Sequence, residues 1–332
     1  MPEIRKDPVV DRWVIIAAER NRRPFSPRSA AAPVEADPAC PFCPGAEHET
    51  PPEVYAVTEG LRLPDTPGWR LRVVPNKFPA LGGEGPVEEV GIAGLSRAVS
   101  GVGFHEVIIE TPDHFTPFAR LAPEEIAEVL LAVKRRFLHY KSDPRIVSAQ
   151  FFKNQGPEAG ASLAHTHCQI IAMPMAPHRL AEELAGARAA HDRLGGCVYC
   201  RAMEEALLAG DRIVEDGEDY LVYAPWAPRF PFETWIAPMS HRPRFEAMED
   251  DELIALARTL KRTLARLDRA LGGAPYNMAL ASAPFDAGSP DWYHWRLEIL
   301  PVTARPAGFE WGSGFFINAT PPEEGAALLR TV

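Results

Sequence analysis

Two segments of the chain place apolar residues at helical spacing. Residues 123–137 read Pro-Glu-Glu-Ile-Ala-Glu-Val-Leu-Leu-Ala-Val-Lys-Arg-Arg-Phe, and residues 249–264 repeat the same kind of pattern, with apolar positions three or four apart. Between them, residues 165–173 alternate in polarity and run into β-favouring apolar residues, which predicts a strand. Together these patterns predict an α+β fold in which helices pack against antiparallel sheet.

Similar polar landmarks surround both helical segments. Each half begins with a Cys-x-x-Cys pair, continues with a glutamate and an apolar strand-like run, and places a histidine eight residues after that glutamate. The helical segment follows, and then a strand with a second histidine. In chain order the landmarks are Cys40, Cys43, Glu106, His114 and His165, and then Cys197, Cys200, Glu233, His241 and His294. We interpret this pattern as an internal duplication.

The duplication predicts two tandem domains, residues 1–175 and residues 176–332. Each is expected to be an antiparallel sheet with one long helix packed against it. The proline-rich residues 173–177 are the expected crossing point, because proline cannot continue a sheet ladder.

Composition and charge narrow the classes of function. The 332 residues are 46% hydrophobic and carry a formal net charge of −10, which gives no general attraction for nucleic acid or for an anionic membrane. Neither is an expected partner. The charged N-terminus precedes no apolar stretch, and no apolar run reaches spanning length, so we expect a cytoplasmic protein.

Four of the five cysteines form the two Cys-x-x-Cys pairs. In a reducing compartment such pairs indicate metal-binding sites rather than disulfides. A lone histidine is usually a surface or capping residue, but its repetition in both halves favours a ligand. Each half then supplies the Cys2His2 set that tetrahedral zinc accepts, with no coordination position left open, so both zinc ions are expected to be structural. The predicted ligands are Cys40, Cys43, His114 and His165 in the first site, and Cys197, Cys200, His241 and His294 in the second.

The predicted strand at residues 165–173 carries the candidate chemistry. Side chains two apart on a strand share a face, so His165, His167 and Gln169 form one row. With His165 bound to metal, His167 presents a free imidazole that can attack phosphorus without a separate base. Gln169 can donate a hydrogen bond to a phosphoryl oxygen. The alternatives for His167 are a further zinc ligand or a packed histidine.

Two neighbouring features complete this picture. Upstream, Gly160 and Ser162 can bring backbone and hydroxyl donors close to a phosphate. In the second half the corresponding row reads His294, Arg296 and Glu298. Because Arg296 cannot act as a nucleophile, the second half is expected to keep its metal site and to lack this chemistry.

These residues resemble the histidine-triad superfamily and, within it, the galactose-1-phosphate uridylyltransferase family, which includes the similar ADP-glucose phosphorylases. The resemblance covers nearly the whole chain. It implies phosphate-binding arginines, a nucleoside-binding turn and an active-site motif, with His167 and Gln169 as catalytic residues. The substrate-binding residues that it implies are Arg20, Arg23, Asn76, Lys77, Phe78, Phe152, Asn154, Gly160 and Ser162.

The resemblance further implies a ping-pong reaction in which His167 attacks the α-phosphorus of a sugar nucleotide and a second phosphate then takes the nucleotidyl group. The expected partners are a sugar nucleotide and a sugar 1-phosphate, and the expected assembly is a homodimer. Thr166 stands where well-known galactose enzymes have proline, and residues 308–318 lack their hexose-binding lysine and tyrosine-glutamate pair. Galactose specificity is therefore not implied.

Three functions follow from this reading. UDP-glucose:hexose-1-phosphate uridylyl transfer, as in galactose metabolism, ranks first, and phosphorolysis of ADP-glucose, with adenylyl transfer to phosphate, ranks second. A pair of non-catalytic zinc-binding modules is the alternative from another class. Sequence alone fixes neither the base, uracil or adenine, nor the acceptor phosphate, because both depend on the shape of the pocket.

Overall fold

A computed structural model describes residues 1–22, 40–91, 95–288 and 290–332. The strands are β1 (Glu3–Lys6), β2 (Trp13–Ile16), β3 (Tyr55–Thr58), β4 (Trp69–Pro75), β5 (Glu89–Gly91), β6 (Arg97–Val99), β7 (Phe104–Ile109), β8 (Ser148–Gln155), β9 (His167–Met173), β10 (Ile213–Asp216), β11 (Tyr220–Tyr223), β12 (Thr234–Pro238), β13 (Tyr276–Ala281), β14 (Arg296–Pro301) and β15 (Phe316–Asn318). The α-helices are α1 (Pro123–Lys141), α2 (His178–Leu194), α3 (Val198–Ala209), α4 (Glu252–Leu271), α5 (Gly308–Ser313) and α6 (Pro322–Thr331). None of these helices, in the part of the chain that the structure describes, combines the length and apolar character of a membrane span.

The two predicted helices form, and in each a glutamate accepts a hydrogen bond from the backbone N–H three residues earlier. The Glu125 carboxylate accepts a hydrogen bond from the Ala122 backbone N–H at 2.6 Å, and Pro123 occupies the first turn of α1. Helix α4 begins at Glu252, later than the predicted 249, and its Glu252 carboxylate accepts the Glu249 N–H. The contact at Ala122 satisfies a backbone donor that the start of α1 leaves unpaired. The contact at Glu249 ties the turn before α4 to the first residue of that helix.

The predicted strand at 165–173 begins two residues later, at His167. The last paired residue of its neighbour β7 is Ile109, which lies opposite His167. Beyond Ile109 the pairing ends in a long hydrogen bond from the Glu110 N–H to the Thr166 carbonyl at 3.5 Å. His165 therefore lies outside β9, and its ring turns toward the cysteines.

The two halves share one ten-stranded sheet, in the order β10-β11-β12-β14-β13-β8-β9-β7-β4-β3. The halves meet where β8 pairs antiparallel with β13, and Phe152 lies opposite Ala279 there. On their other sides, Phe152 faces Gln169 and Ala279 faces Glu298. Phe152 and Ala279 are therefore counterparts, and a local twofold axis runs between them. The domain boundary at residue 175 stays a prediction.

The register of the strands corrects one landmark of the duplication. Val107 lies opposite Gln169 and Trp235 lies opposite Glu298, so Val107 corresponds to Trp235. Glu106 and Glu233 are then not counterparts, although each precedes its histidine by eight residues. Glu106 faces the helices and pairs with Arg136, whereas Glu233 precedes β12.

The two sides of the sheet are covered differently. Helices α1 and α4 pack on one side and against each other, and their apolar residues join those of both sheet halves in one core. On the other side, α2 and α3 cover the second half through a smaller cluster that includes Ala187 and Tyr199. The first half carries the cleft described below.

The position of α2 depends on a close backbone approach at Gly186, which supplies a test. A Cβ at this position would lie 1.9 Å from the carbonyl oxygen of Val9. Although alanine favours a helix, Gly186→Ala should lower the free energy of unfolding by about 1–3 kcal/mol, as overpacking does. Gly312→Ala in α5 is the matched control, because no atom of the described residues lies within 4 Å of its Cβ position. Equal denaturation midpoints for the two variants would contradict this account.

Candidate active site

The first Cys2His2 cluster has the dimensions of a tetrahedral metal site. Cys40 Sγ lies 3.6 Å from His165 Nδ1, and Cys43 Sγ lies 3.3 Å from His114 Nδ1 and 3.6 Å from His165 Nδ1. Bonds of about 2.3 Å to sulfur and about 2.0–2.1 Å to nitrogen at tetrahedral angles give sulfur-to-nitrogen separations of about 3.6 Å. His165 Nε2 donates to the Thr111 carbonyl at 2.8 Å, which leaves Nδ1 for a metal ion.

The second cluster repeats this arrangement. Cys200 Sγ lies 3.3 Å from both His241 Nδ1 and His294 Nδ1, and all four ligand atoms lie within 4.8 Å of one another. The contact between the two cysteines lowers the pKa of the Cys197 thiol and raises the pKa of the Cys200 thiol, so Cys197 is the first of the two to become the thiolate that a metal binds. Both predicted ligand sets therefore come together, and both fit a divalent metal ion.

His167 is held in one tautomer. Its Nδ1–H donates to the carbonyl of His165 at 2.9 Å, so Nε2 carries the lone pair. The ring is buried, with the Phe42 ring edge-on at 5.4 Å. Burial lowers the pKa of the imidazole and the Lys153 ammonium lowers it further, against the hydrogen bond to the carbonyl. The ring is therefore held neutral, the form in which nitrogen can attack.

A buried ion pair fixes the backbone of His167 from the opposite side of the sheet. Lys153 Nζ donates to Glu110 Oε2 at 2.8 Å, to Thr166 Oγ1 at 2.9 Å and to the His167 carbonyl at 3.0 Å. The Thr166 hydroxyl donates in turn to Glu110 Oε2. Thr166 thus supplies a hydrogen bond that a proline at this position could not make.

Gln169 is oriented by His105, a residue that the sequence analysis missed. The Ala80 N–H donates to His105 Nδ1 at 3.0 Å, so His105 Nε2 carries the hydrogen and donates to Gln169 Oε1 at 2.8 Å. The amide N–H donors of Gln169 stay available. Period-two alternation with Val107 along β7 places His105 on the same face as Gln169, and this was the signal that could have identified it.

His167 and Gln169 line a cleft of about 420 Å³, a volume typical of small-molecule sites. It brings together six of the predicted site residues: Asn76, Lys77, Phe78, Ser162, His167 and Gln169. The Phe78 side chain is 83% exposed at the rim. Lys77 Nζ donates to the Glu49 carbonyl at 3.1 Å.

The other predicted site residues lie in three places. Phe152 faces Gln169 across β8 and β9, and Asn154 lies beside Gly160, whose Cβ position is 3.6 Å from Asn154 Nδ2. Gly160 has φ +95°, a conformation that favours glycine. Arg20 lies in the 3-10 turn after β2 and does not line the cleft. Arg23 falls outside the described residues.

Ion pairs bury Arg296 and Glu298. These two residues are the counterparts, in the second half, of His167 and Gln169. Glu298 binds Arg179 at 2.6 Å, Arg296 at 2.7 Å and Arg229 at 2.8 Å. Burial opposes the ionisation of Glu298, yet the three guanidinium groups hold the pKa of its carboxyl well below the usual range. Arg179 belongs to α2. This helix therefore covers, in the second half, the surface that corresponds to the accessible cleft around His167 in the first half.

The sequence profile described as galactose-1-phosphate uridyl transferase, N-terminal domain, matches residues 1–177. The chain belongs to this family. ADP-glucose phosphorylase from Arabidopsis thaliana is 35% identical over 337 residues, covering 100% of this chain and 93% of that protein. Galactose-1-phosphate uridylyltransferase from Thermotoga maritima is 28% identical over 338 residues, covering 99% and 98%.

Comparison with solved structures gives the same result. The crystal structure of the Arabidopsis thaliana ADP-glucose phosphorylase with bound ADP-glucose matches with a TM-score of 0.84 and 32% identity, covering 100% of this chain and 99% of that one. A uridylyltransferase structure matches with a TM-score of 0.78 and 29% identity, covering 100% and 98%. The predicted family and the α+β fold are confirmed, and the chain is an enzyme of the nucleotidyltransferase and phosphorylase type.

The charge cluster around Glu298 gives a prediction about stability. Glu298→Gln keeps the shape of the side chain but leaves three guanidinium groups without their shared carboxylate. We expect the free energy of unfolding to fall by about 3–5 kcal/mol, the usual cost of removing one partner from a buried ion pair. The exposed Glu59→Gln is the control and should be neutral. Chemical denaturation measures both, and a Glu298 variant as stable as this control would refute the role given to the cluster.

Proposed function

We propose that the enzyme transfers a nucleoside monophosphate from a sugar nucleotide to an acceptor phosphate through a covalent intermediate on His167. The observation that carries this proposal is the neutral imidazole of His167, which lines the cleft and is fixed through Nδ1 so that Nε2 is the nucleophilic atom. Gln169 lies beside it with its amide N–H donors available.

In the first step, the Nε2 lone pair attacks the α-phosphorus and the bond to the bridging oxygen breaks. The sugar 1-phosphate leaves with that electron pair. The proton on Nδ1 stays in its hydrogen bond to the His165 carbonyl, so the carbonyl stabilises the positive charge that develops on the ring. The Gln169 amide donates to a non-bridging oxygen as negative charge builds there.

In the second step, an oxygen of the acceptor phosphate attacks the same phosphorus, and the bond to Nε2 breaks. The acceptor is already an anion, so no general base has to remove a proton from it. His167 returns to its neutral form, and the two steps together give ping-pong kinetics.

Two donor and acceptor pairs fit this chemistry. UDP-glucose with a hexose 1-phosphate corresponds to the activity named for the Thermotoga maritima relative. ADP-glucose with inorganic phosphate corresponds to the activity named for the Arabidopsis thaliana relative, whose 35% identity gives this alternative comparable support. Phe78 and Asn76 at the rim are the proposed contacts of the nucleoside.

The nucleophile is tested by intact-protein mass spectrometry after incubation with UDP-glucose or ADP-glucose and no acceptor. The wild type should gain one uridylyl or adenylyl group, and the productive donor identifies the base. His167→Gly should keep its fold and metal content and lose transfer by at least ~10³-fold, with partial rescue by free imidazole, which can enter the vacated space. His165→Asn should weaken the metal site, and imidazole should not rescue it.

The exposed His48→Gly serves as the control for this substitution and should still form the adduct. An adduct that persisted in His167→Gly would place the nucleophile elsewhere and end the proposal.

We further propose that both Cys2His2 clusters hold zinc, because thiolate and imidazole ligands at tetrahedral separations suit this ion. The ions would tie the Cys-x-x-Cys segments to the strand ends. They would supply rigidity rather than take part in transfer, since four protein ligands fill the coordination shell.

Purified enzyme should therefore contain two zinc ions per chain, one for each cluster. Cys40→Ser should lose the first ion and lower the melting temperature, because metal binding and folding are linked. Cys168→Ala is the matched control: Cys168 is buried in the apolar core, so its replacement should leave both ions bound. Elemental analysis and thermal melts measure these outcomes, and correctly folded enzyme with only trace metal would refute the zinc sites.

A further inference from the structure

A second and larger cleft, of about 610 Å³, lies in the second half of the molecule. Its walls come from α3, the end of α2, the segment after β1, and the segment that continues from β11. Among the described residues, the two clefts share no lining residue.

The strand registers make this second cleft the twofold counterpart of the first. Val107 corresponds to Trp235 through the pairings with Gln169 and Glu298. Val74 lies opposite Val107 and Tyr223 lies opposite Trp235, so the chain after Val74 corresponds to the chain after Tyr223. The residues between the two cysteines of each Cys-x-x-Cys pair correspond as well. Seven lining pairs result: Pro41 and Val198, Phe42 and Tyr199, Val74 and Tyr223, Asn76 and Pro225, Lys77 and Trp226, Phe78 and Ala227, and Val107 and Trp235.

Both halves therefore have a cleft at the outer, rim positions, although the side chains there differ, and in the second half the inner part is closed. The inner positions belong to Arg296 and Glu298, which are occupied by ion pairs under α2. A ligand in the second cleft cannot meet a nucleophile there, since no imidazole stands at the position of Arg296. This cleft can bind without reacting.

The lining of the second cleft suits a nucleotide. The guanidinium groups of Arg5 and Arg212 lie 4.1 Å and 5.6 Å from the centre of the Trp226 ring. Trp226 is still 41% exposed, and the exposed part of its indole offers an aromatic surface to a base. Arg193 and Arg201 line the same cleft. Arg201 Nη2 donates to the Leu194 carbonyl at 2.6 Å, and neither arginine forms a salt bridge within the described ranges. Guanidinium groups that no carboxylate neutralises are suited to phosphate.

Two carboxylates, Glu204 and Glu205, also line the cleft. Carboxylates accept hydrogen bonds from ribose hydroxyls in nucleotide sites. An aromatic surface, two cations and two acceptors are the groups that a nucleoside monophosphate requires.

We propose that this second cleft is a non-catalytic binding site for a nucleoside monophosphate. The ligand class rests in part on the proposed function, because it is inferred from the relation of this cleft to the one at His167.

The test uses UMP and AMP as probes, with binding counted by equilibrium dialysis on the full chain. We expect two sites per chain for at least one of the two nucleotides. Tryptophan fluorescence reports the second site selectively, because Trp226 and Trp235 line it and no tryptophan lines the cleft at His167. Trp226→Phe should reduce the fluorescence change that accompanies binding.

Arg193→Ala should weaken one of the two sites by about 10-fold or more, the effect of losing a charged hydrogen bond to phosphate. It should leave the nucleotidyl adduct on His167 at one per chain. Arg188→Ala is the matched control on the same helix, because Arg188 pairs with Asp192 and is exposed, and it should change neither site.

The outcomes separate the two proposals. The second site alone is overturned if the chain has one nucleotide site that Arg193→Ala does not affect and still forms the adduct on His167. Binding that depends on Arg193 without any adduct supports the second site and overturns the proposed function. Absence of both binding and adduct overturns both.

Discussion

The hydrogen bond between His167 Nδ1 and the carbonyl of His165 joins the first Cys2His2 cluster to the candidate nucleophile. It determines which nitrogen is nucleophilic, and it holds only if the backbone at the start of β9 cannot move. Two sets of contacts provide that rigidity: the Cys2His2 cluster on one side of the strand and the Lys153–Glu110 ion pair on the other. The proposed reactive atom, His167 Nε2, is thus positioned mainly by groups that are not expected to contact substrate.

The twofold relation between the halves shows how one scaffold serves two purposes. Around His167 the open side of the sheet carries a cleft, whereas around Arg296 the same side carries charge pairs and a covering helix. The difference begins with a few side chains on corresponding strands. Arg296 and Glu298 stand where the first half has a histidine and a glutamine. Their buried charges need partners, and α2 supplies Arg179 and Glu183.

Local spacing made much of the site predictable. Period-two alternation placed His167 and Gln169 on one face, and repetition identified both Cys2His2 sets. Residues whose partners are distant in sequence could not be found in this way. His105 becomes meaningful only when β7 lies beside β9, and Lys153 only when β8 does. The equal spacing of Glu106 and Glu233 was misleading, because a one-residue difference in strand register places them on different faces of the sheet.

The seam between β8 and β13 also affects the order of folding. During synthesis, β8 emerges long before β13, its partner from the second half. The first half therefore carries an unpaired sheet edge until α4 and β13 have been made. An exposed edge can pair with other chains, and such long-range pairing is slow because a large loop must close first. The feature that unites the two halves in the native state therefore leaves the nascent chain open to misassembly for much of its synthesis.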